Sequence, residues 1–432
     1  MSLKIVQQSE VAARLVLPAS VLISLEGLAG DVRKGLLALS VSAGLAVIDA
    51  IMQEEITEAC GPKGKHDPER VAVRHTAEQS SLKVAGQRVV VTKPRMRSVD
   101  QSREIPLASW SYFSSAGAMD QALYERMLCG VSTRRYQQCV EPLGVPPKGT
   151  SKSNVGRRFK VLCEQALDEL MNRDLTNVTL AAMMIDGVEI SGEMVVCAIG
   201  ITGGSGSECG IKIPLGLWHG STENHVVVKH LLGDLADRGL DLSHGALVVI
   251  DGAKALAAGV RLVFGGNIVI QRCQLHKERN VLGHLHKDLQ ERVRARLRRA
   301  WLIPNADKAL TALKRIAADL QDDYPGAAAS LREGMNDTVA INRLGLVDTK
   351  LWKTLHTTNA IESVMDIVRT RCRNNKNWKD GKMRLRWIAS GLIDAERSFN
   401  RVRGHAQIPQ LQIALKRTLN TTDTTNTAAQ AA

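Results

Sequence analysis

The chain lacks the patterns that define several common protein classes. Aromatic residues make up only 3% of its 432 residues. Its eight cysteines are scattered without a Cys-x-x-Cys pair, which favours reduced thiols over a disulfide framework. The longest uncharged apolar stretch, from Gly35 to Ile48, is shorter than the roughly 20 residues of a membrane span. Without a recognisable signal peptide, these absences predict a cytoplasmic protein with no membrane partner.

Motifs for nucleotide hydrolysis and for structural zinc are also missing. No Gly-rich loop ends in Gly-Lys-Ser or Gly-Lys-Thr, so nucleoside triphosphate hydrolysis is not indicated. Cys273 and His276 have the spacing of half a zinc site, but no second half follows them. We therefore expect this pair to pack beside an active site or to orient it.

Basic residues outnumber acidic residues, 57 to 44, which gives a net charge of +13. They are concentrated in two runs. Residues 369–386 hold eight Lys or Arg against the single acid Asp380, and residues 292–299 hold five Arg. Like charge packed so densely is tolerated where phosphates neutralise it, so a nucleic-acid partner is predicted. The alternative is a solvated helix face whose charges pair with neighbouring helices.

Three carboxylates stand in settings that favour chemistry on such a partner. Asp186 and Asp251 each close an apolar run and precede a glycine, and Glu362 opens a segment with helical periodicity. Two acids at strand ends and one on a later helix are able to hold two divalent cations around a phosphodiester. Each Asp-Gly alone is often only a turn. Asp366, one helical turn after Glu362, is an alternative third acid, and Glu362 could simply stabilise the helix dipole.

Residues 178–272 alternate between strand-like and helix-like segments. The predicted strands are 179–186, 194–202, 209–217, 246–251 and 267–272, and the predicted helices are 222–237 and 253–263. Short glycine-containing links join the first three strands in antiparallel fashion, whereas helices separate the later, parallel ones. This order predicts an α/β fold of the ribonuclease H-like type. Residues 274–340 are helical in pattern and suggest an inserted helical block.

A helix, a turn and a second helix precede this region. Leu123 and Met127 share one face of the first helix, Gly130 supplies the turn, and Ser132 caps a short helix that carries Arg134 and Arg135. After a loop rich in proline and glycine, Ser151 or Ser153 caps a longer helix. Its polar side chains predict a helix-turn-helix DNA reader, with a structural bundle as the alternative. They are Lys152, Asn154, Arg157, Arg158 and Lys160.

These patterns divide the chain into five predicted regions. They are a helical N-terminal segment (1–56), a β-rich segment with a hairpin at 82–92 (57–109), a helix-turn-helix domain (110–175), a ribonuclease H-like domain with a helical insertion at about 285–345 (176–405) and a tail with a disordered end (406–432).

Four motifs in this order give the chain its resemblance to Mutator-like bacterial insertion-sequence transposases, over roughly residues 110–405. They are the Asp-Gly pairs at 186 and 251, Cys-Gln-Leu-His-Lys-Glu-Arg-Asn-Val at 273–281, and Thr-Thr-Asn-Ala-Ile-Glu-Ser at 357–363. By that resemblance, the Asp-Asp-Glu triad is Asp186, Asp251 and Glu362. Many relatives have a polar residue where this chain has Val364 and Met365, so details of that helix face are expected to differ.

The resemblance implies a DNA transposase that binds terminal inverted repeats and target DNA as at least a dimer. The triad would bind two Mg²⁺, with Mn²⁺ as a substitute ion, and Cys273 and His276 would support it. The arginines Arg369, Arg371 and Arg373 are expected to contact DNA phosphates along the path to the active site. The alternatives are a DNA-binding regulator with an inert catalytic fold and a nuclease that cuts without joining.

Overall fold

The computed structural model describes residues 36–65, 67–84, 87–115, 118–140, 148–222, 224–265 and 268–418. Contacts divide the chain into two compact units, residues 1–162 and residues 163–432, and the boundary falls within one helix. The helices predicted before residue 36 and the disordered end predicted from residue 419 lie outside the described residues. None of the helices in these ranges combines the length and apolarity that crossing a bilayer requires.

The first unit combines a small antiparallel sheet with several helices. Its elements are α1 (Leu36–Cys60), β1 (Ala72–Val84), β2 (Gln87–Ser98), β3 (Glu104–Ile105), α2 (Ala108–Ser115), α3 (Ala118–Leu128), α4 (Tyr136–Cys139) and the start of α5 (Lys152–Met171). Helix α1 continues beyond residue 56 and ends where Gly61 adopts a φ of +75°. The hairpin is longer than predicted, because β1 and β2 stay paired from Ala72 with Ser98 to Val84 with Gln87.

The predicted helix-turn-helix segment needs one correction. Arg134 and Arg135 do not lie on the second helix but in the turn before it. The Ser132 hydroxyl accepts a hydrogen bond from the Arg135 amide (3.3 Å), and α4 begins only at Tyr136. Helix α5 starts directly after Ser151, one of the two predicted caps. Its apolar side is buried at Val155 and Phe159. The loop at 141–147 lies outside the described residues.

The second unit is built on a five-stranded mixed sheet. Its strands are β4 (Leu180–Ile190), β5 (Glu193–Thr202), β6 (Lys212–His219), β7 (Ala246–Ile250) and β8 (Ile268–Arg272), in the spatial order β6-β5-β4-β7-β8. The first three strands pair antiparallel, whereas β7 pairs parallel with both β4 and β8, as predicted. The third strand begins later than predicted, at Lys212, because Gly210 turns the chain with a φ of +80°.

Asp186 was predicted to end its strand, and the structure shows otherwise. Strand β4 continues to Ile190, because its antiparallel pairing with β5 runs on to the hairpin at Ile190 and Glu193. Only the parallel pairing with β7 stops early, at Ile185 opposite Ile250. Asp186 therefore lies inside a strand at the point where one of its two neighbours ends.

Helices cover one face of this sheet and form a separate block after it. Helices α6 (His225–Asp237) and α7 (Lys254–Phe264) pack on a buried core that includes Ile185 and Ile250. After β8 the chain forms α8 (Gln274–Leu282), α9 (Lys287–Trp301), α10 (Ala306–Asp319), α11 (Pro325–Arg332) and α12 (Ala340–Arg343). Residues from Val281 to Val339 enclose a hydrophobic core of their own. This block corresponds to the predicted helical insertion.

The chain then returns to the sheet. It forms α13 (Trp352–Leu355), α14 (Asn359–Cys372), α15 (Gly381–Glu396) and a last helix, α16, at 408–418, in the segment predicted as a tail. The entry and exit of the helical block lie together, because the Gln274 amide donates to the His356 carbonyl (2.9 Å). Helix α14 packs against β4 and α15.

Candidate active site

The strand register brings the two predicted aspartates side by side. Ile185 and Ile250 are the last paired residues of β4 and β7, and Asp186 and Asp251 follow them directly. Adjacent strands lie about 4.8 Å apart, and successive side chains point to opposite faces. Ile185 and Ile250 belong to the core under α6 and α7. The residues that follow them, Asp186 and Asp251, are therefore expected on the opposite face of the sheet.

The surroundings of Asp186 disfavour the charged form of its carboxyl group. Its Oδ1 accepts a hydrogen bond from the Gly187 amide (2.8 Å). Burial, together with repulsion from Asp251 and Glu362, outweighs this bond and raises the pKa of Asp186 to about 6. Asp251 and Glu362 therefore both disfavour the charged form of Asp186.

Glu362 is placed by the first turn of α14. The helix begins at Asn359 after Thr358, as the Thr-Thr-Asn sequence predicts. The Thr358 hydroxyl, however, does not cap the backbone but donates to Glu362 Oε1 (2.7 Å). Asp366, the alternative acid, is 73% exposed and paired with Arg369 (2.7 Å). Glu362 is the less exposed of the two acids, at 29%, and lies beside His276 (3.9 Å).

Cys273 and His276 lie behind this carboxylate, where the sequence predicted a supporting role. The fully buried Cys273 Sγ accepts a hydrogen bond from the Thr358 amide (3.4 Å), and the Thr358 hydroxyl lies 3.4 Å from the same sulfur. Burial acts to raise the pKa of the Cys273 thiol, but hydrogen bonds from His276 and Thr358 together have the larger effect, so the pKa is lowered. The pKa of His276 is raised by its hydrogen bond with Cys273 and by the nearby Glu362 and Asp186. Thr358 thus connects the pair to Glu362.

A second group of residues around Asp251 was not found from the sequence. The Arg272 side chain is only 7% exposed and donates to the Glu333 carbonyl (2.8 Å). Gly252 has a φ of +113°, and a Cβ there would lie 2.0 Å from Arg272 Nε, so no other residue fits. These residues line an open cleft of about 450 Å³ next to Asp251. The Asp-Gly pair was the available signal, since it marked a backbone position that requires glycine.

Lys277 joins this group from α8. It is fully buried and donates to the backbone carbonyls of Ser330 and Glu333. Burial, with the nearby Arg272, lowers the pKa of Lys277 to about 8. Arg272 therefore connects the helical block to the sheet next to Asp251, and Lys277 connects α8 to the end of α11 within the block.

The donor chemistry of the carboxylate cluster fits a hard divalent cation. Carboxylate oxygens are the ligands that Mg²⁺ prefers, and a cation would offset the unfavourable charge on Asp186. Among the described residues, no three His, Cys, Asp or Glu side chains form a ready-made metal site. Glu362 instead holds its hydrogen bond with Thr358.

The predicted DNA-contacting residues differ in their surroundings. In the first unit, Arg134, Arg135, Lys152, Arg157 and Lys160 are exposed, whereas Asn154 and Arg158 are half-buried. In the second unit, Arg371 bonds to Asp394 (2.8 Å) between α14 and α15. Much of the arginine run at 292–299 is also ion-paired, with Glu278, Glu291 and Asp319. Ion pairs within the chain therefore engage part of the basic sequence.

Comparison with known proteins gives a consistent family. The profile of the family described as "Transposase, Mutator family" matches residues 30–401. The transposase for insertion sequence element IST2 of Acidithiobacillus ferrooxidans is 32% identical over 158 residues, which cover 37% of this chain and 52% of the relative. The transposase for IS6120 of Mycolicibacterium smegmatis is 27% identical over 264 residues, covering 60% and 78%. The transposase for IS256 in transposon Tn4001 of Staphylococcus aureus is 27% identical over 293 residues, covering 66% and 71%.

The alignment with the IST2 transposase thus spans about half of that relative's length. The family match is much broader and includes all of the second unit's sheet, the helical block and α14. It confirms the predicted resemblance, which rested on four short motifs. The chain belongs to the Mutator family of transposases.

Proposed function

We propose that the chain is the transposase of a bacterial insertion sequence and catalyses metal-dependent strand cleavage and strand transfer at the element's terminal inverted repeats. The proposal is supported by the family match, by the neighbouring strand positions that Asp186 and Asp251 follow, and by the effect of Asp251 and Glu362 on the pKa of Asp186. The strand order, with a helical block between the second aspartate and the glutamate, supports a ribonuclease H-like catalytic domain.

Each carboxylate has a distinct role in this proposal. Asp186 would bind both Mg²⁺ ions, Asp251 one of them and Glu362 the other, with Mn²⁺ as a substitute. When bound, two such ions activate the attacking oxygen and stabilise the leaving oxygen of a phosphodiester. Cys273 and His276 orient Glu362 through Thr358. Hydrolysis and joining are both in-line phosphoryl transfers, so one site serves both.

Recognition of DNA is assigned to basic residues in both units. Residues of the helix-turn-helix segment would read the terminal repeats, namely Arg134, Arg135, Lys152, Asn154, Arg157, Arg158 and Lys160. The arginines on and after α14, namely Arg369, Arg371 and Arg373, would contact phosphates near the cleavage site. Exposure of most of these side chains supports the assignment, although Arg371 also holds α14 to α15 through Asp394.

The proposal is tested by isosteric changes to the carboxylates. Asp186→Asn, Asp251→Asn and Glu362→Gln should each abolish excision and joining of the element on a plasmid, because the lost charge binds metal and contributes nothing to the core. Binding of the same variants to the element's ends should remain. The matched control is Asp366→Asn on the same helix, which should keep most of its activity. Near-normal cleavage by Glu362→Gln, with loss in Asp366→Asn, would reassign the third acid.

A further inference from the structure

A cleft of about 470 Å³ lies between the β4–β5 hairpin and the C-terminal end of α14, apart from the carboxylates. Its lining includes Ser191 at the hairpin tip, the cations Arg373 and Lys376, and the indole of Trp378. The only carboxylate among its lining residues is that of Glu189, which is exposed. The cleft is therefore an open, mainly cationic site with one aromatic wall.

Two of the three cations that line the cleft, Arg373 and Lys376, differ from the paired arginines of the basic run, which include the third, Arg369. Arg369, Arg371, Arg384 and Arg386 each contact an acid, namely Asp366, Asp394, Glu193 and Glu164. Arg373 and Lys376 are exposed and form no ion pair within the described part of the chain. Arg373 also follows the end of α14, where a cation stabilises the helix dipole, but that role requires neither Lys376 nor an aromatic neighbour.

The aromatic wall is held in a fixed orientation. The Trp378 ring meets Trp387 edge to face, with centroids 6.2 Å apart, and the Arg384 guanidinium lies 6.0 Å from its centroid. Arg384 is itself bonded to Glu193 on β5 (2.9 Å). Next to Trp378, the Asn375 Nδ2 atom is buried and has no hydrogen-bond partner among the described residues. A flat ring and two cations match the base and the phosphate of a nucleotide.

The cleft lies within reach of a DNA strand in the active site. Ile190 is four residues beyond Asp186, which is about 13 Å along a strand. Arg373 is eleven residues beyond Glu362, which is about 16 Å along a helix. At about 3.4 Å per nucleotide of one strand, these lengths correspond to roughly four to five nucleotides.

We infer that this cleft binds one nucleotide of a DNA strand, with the base stacked on Trp378 and the phosphate held by Arg373 and Lys376. The inference rests on the proposed function in taking DNA as the ligand. It adds a base-stacking contact four to five nucleotides from the cleavage site. Such a contact has little sequence preference, because every base has a flat face.

The stacking contact is tested with two probes of equal charge, a labelled oligonucleotide of about 15 thymidines and an abasic strand of the same length. Binding is measured in EDTA by fluorescence anisotropy. The unmodified protein should bind the thymidine strand roughly 5- to 150-fold more tightly, the effect of stacking one base. Trp378→Ala should lose this preference and Trp378→Phe should keep much of it. A preference that is absent from the start, or that survives in Trp378→Ala, would overturn the inference.

The phosphate contacts are tested with the double variant Arg373→Ala/Lys376→Ala. It should weaken binding of both probes and reduce the slope of log affinity against log salt by about 1.4, for two single-strand phosphate contacts. Lys314→Ala/Arg315→Ala removes the same charge from exposed positions on α10 and should change neither quantity. If both double variants lowered the affinity and the salt slope equally, the loss would reflect net charge and not phosphate binding in this cleft. Because binding is measured without metal, these outcomes are independent of whether the carboxylate variants cleave DNA.

Discussion

Thr358 is the residue that connects Cys273 and His276 to Glu362, the proposed third catalytic acid. Its hydroxyl donates to Glu362 Oε1 (2.7 Å) and lies 3.4 Å from Cys273 Sγ and 3.3 Å from His276 Nδ1. The residue is fully buried, so no water competes for these contacts. One hydroxyl therefore fixes where the Glu362 side chain points, without belonging to the proposed metal ligands.

Replacing Thr358 by valine tests this positioning role. Thr358→Val keeps the side-chain shape but removes the hydroxyl, so Glu362 loses its partner. We expect cleavage to need more Mg²⁺ and to fall by about 10- to 100-fold, as for other residues that orient metal ligands. Thr358→Ser restores the hydroxyl and should recover most of the activity. Titration of cleavage with Mg²⁺ measures both effects, and an unchanged Mg²⁺ requirement in Thr358→Val would exclude the role.

At the scale of elements, the close approach of α14 and α15 sets the position of Glu362. The two helices meet at Gly391, where a Cβ would lie 3.3 Å from the Val368 backbone. This distance is too short for an added methyl group without a shift of one helix. The absence of a side chain at Gly391 therefore helps to place the helix that carries the carboxylate.

A pair of identical substitutions measures this constraint. Gly391→Ala should destabilise the second unit by about 1–3 kcal/mol, because an overpacked contact outweighs the gain in helix propensity. Gly233→Ala on α6 meets nothing within 4 Å and should stabilise by up to about 1 kcal/mol. Urea unfolding followed by tryptophan fluorescence compares the two. Equal stabilisation in both variants would show that the packing of α14 against α15 does not require glycine at position 391.

Local patterns predicted most of the elements and whether the strands pair parallel or antiparallel, but not where every strand ends. The apolar runs ending at Asp186 and Asp251 correctly indicated strands, because a buried strand must consist of apolar residues, and the predicted strand order made them neighbours. They could not show that β4 continues to Ile190, since that extension depends on pairing with β5. The interactions of Thr358 and Arg272 were equally hidden. Their partners, Glu362 and Glu333, come from other elements, and a residue's type does not reveal a distant partner.

At the scale of the whole molecule, the net charge of +13 conceals two kinds of cation. Some arginines, such as Arg294 with Glu278 and Arg173 with Glu396, hold elements together through ion pairs. Others, including Arg157 near the start of α5, are exposed. Binding of DNA by this chain is expected to depend on the second kind, and removal of the first kind should mainly affect folding.

The proposed recognition helix provides the corresponding test. Arg157→Ala/Arg158→Ala should weaken binding to the element's ends about 10-fold or more, while binding to random DNA falls less, because the first turns of a recognition helix contact base edges. Lys63→Ala/Lys65→Ala removes equal charge from exposed positions of the same unit and is the control. Competition between terminal-repeat and random duplexes gives the ratio of the two affinities. An unchanged ratio in the α5 variant would assign sequence recognition elsewhere.

The hydrogen bond between the Gln274 amide and the His356 carbonyl has a consequence for folding during synthesis. The whole helical block is made between these two residues, so Asp186 and Asp251 leave the ribosome long before Glu362. At about 5–20 residues per second, the interval from Asp186 to Glu362 lasts roughly 9–35 s. Contacts so distant in sequence also form slowly, since closing a long loop costs entropy. A nascent or truncated chain that ends before Glu362 therefore holds two of the acids and none of the proposed cutting activity.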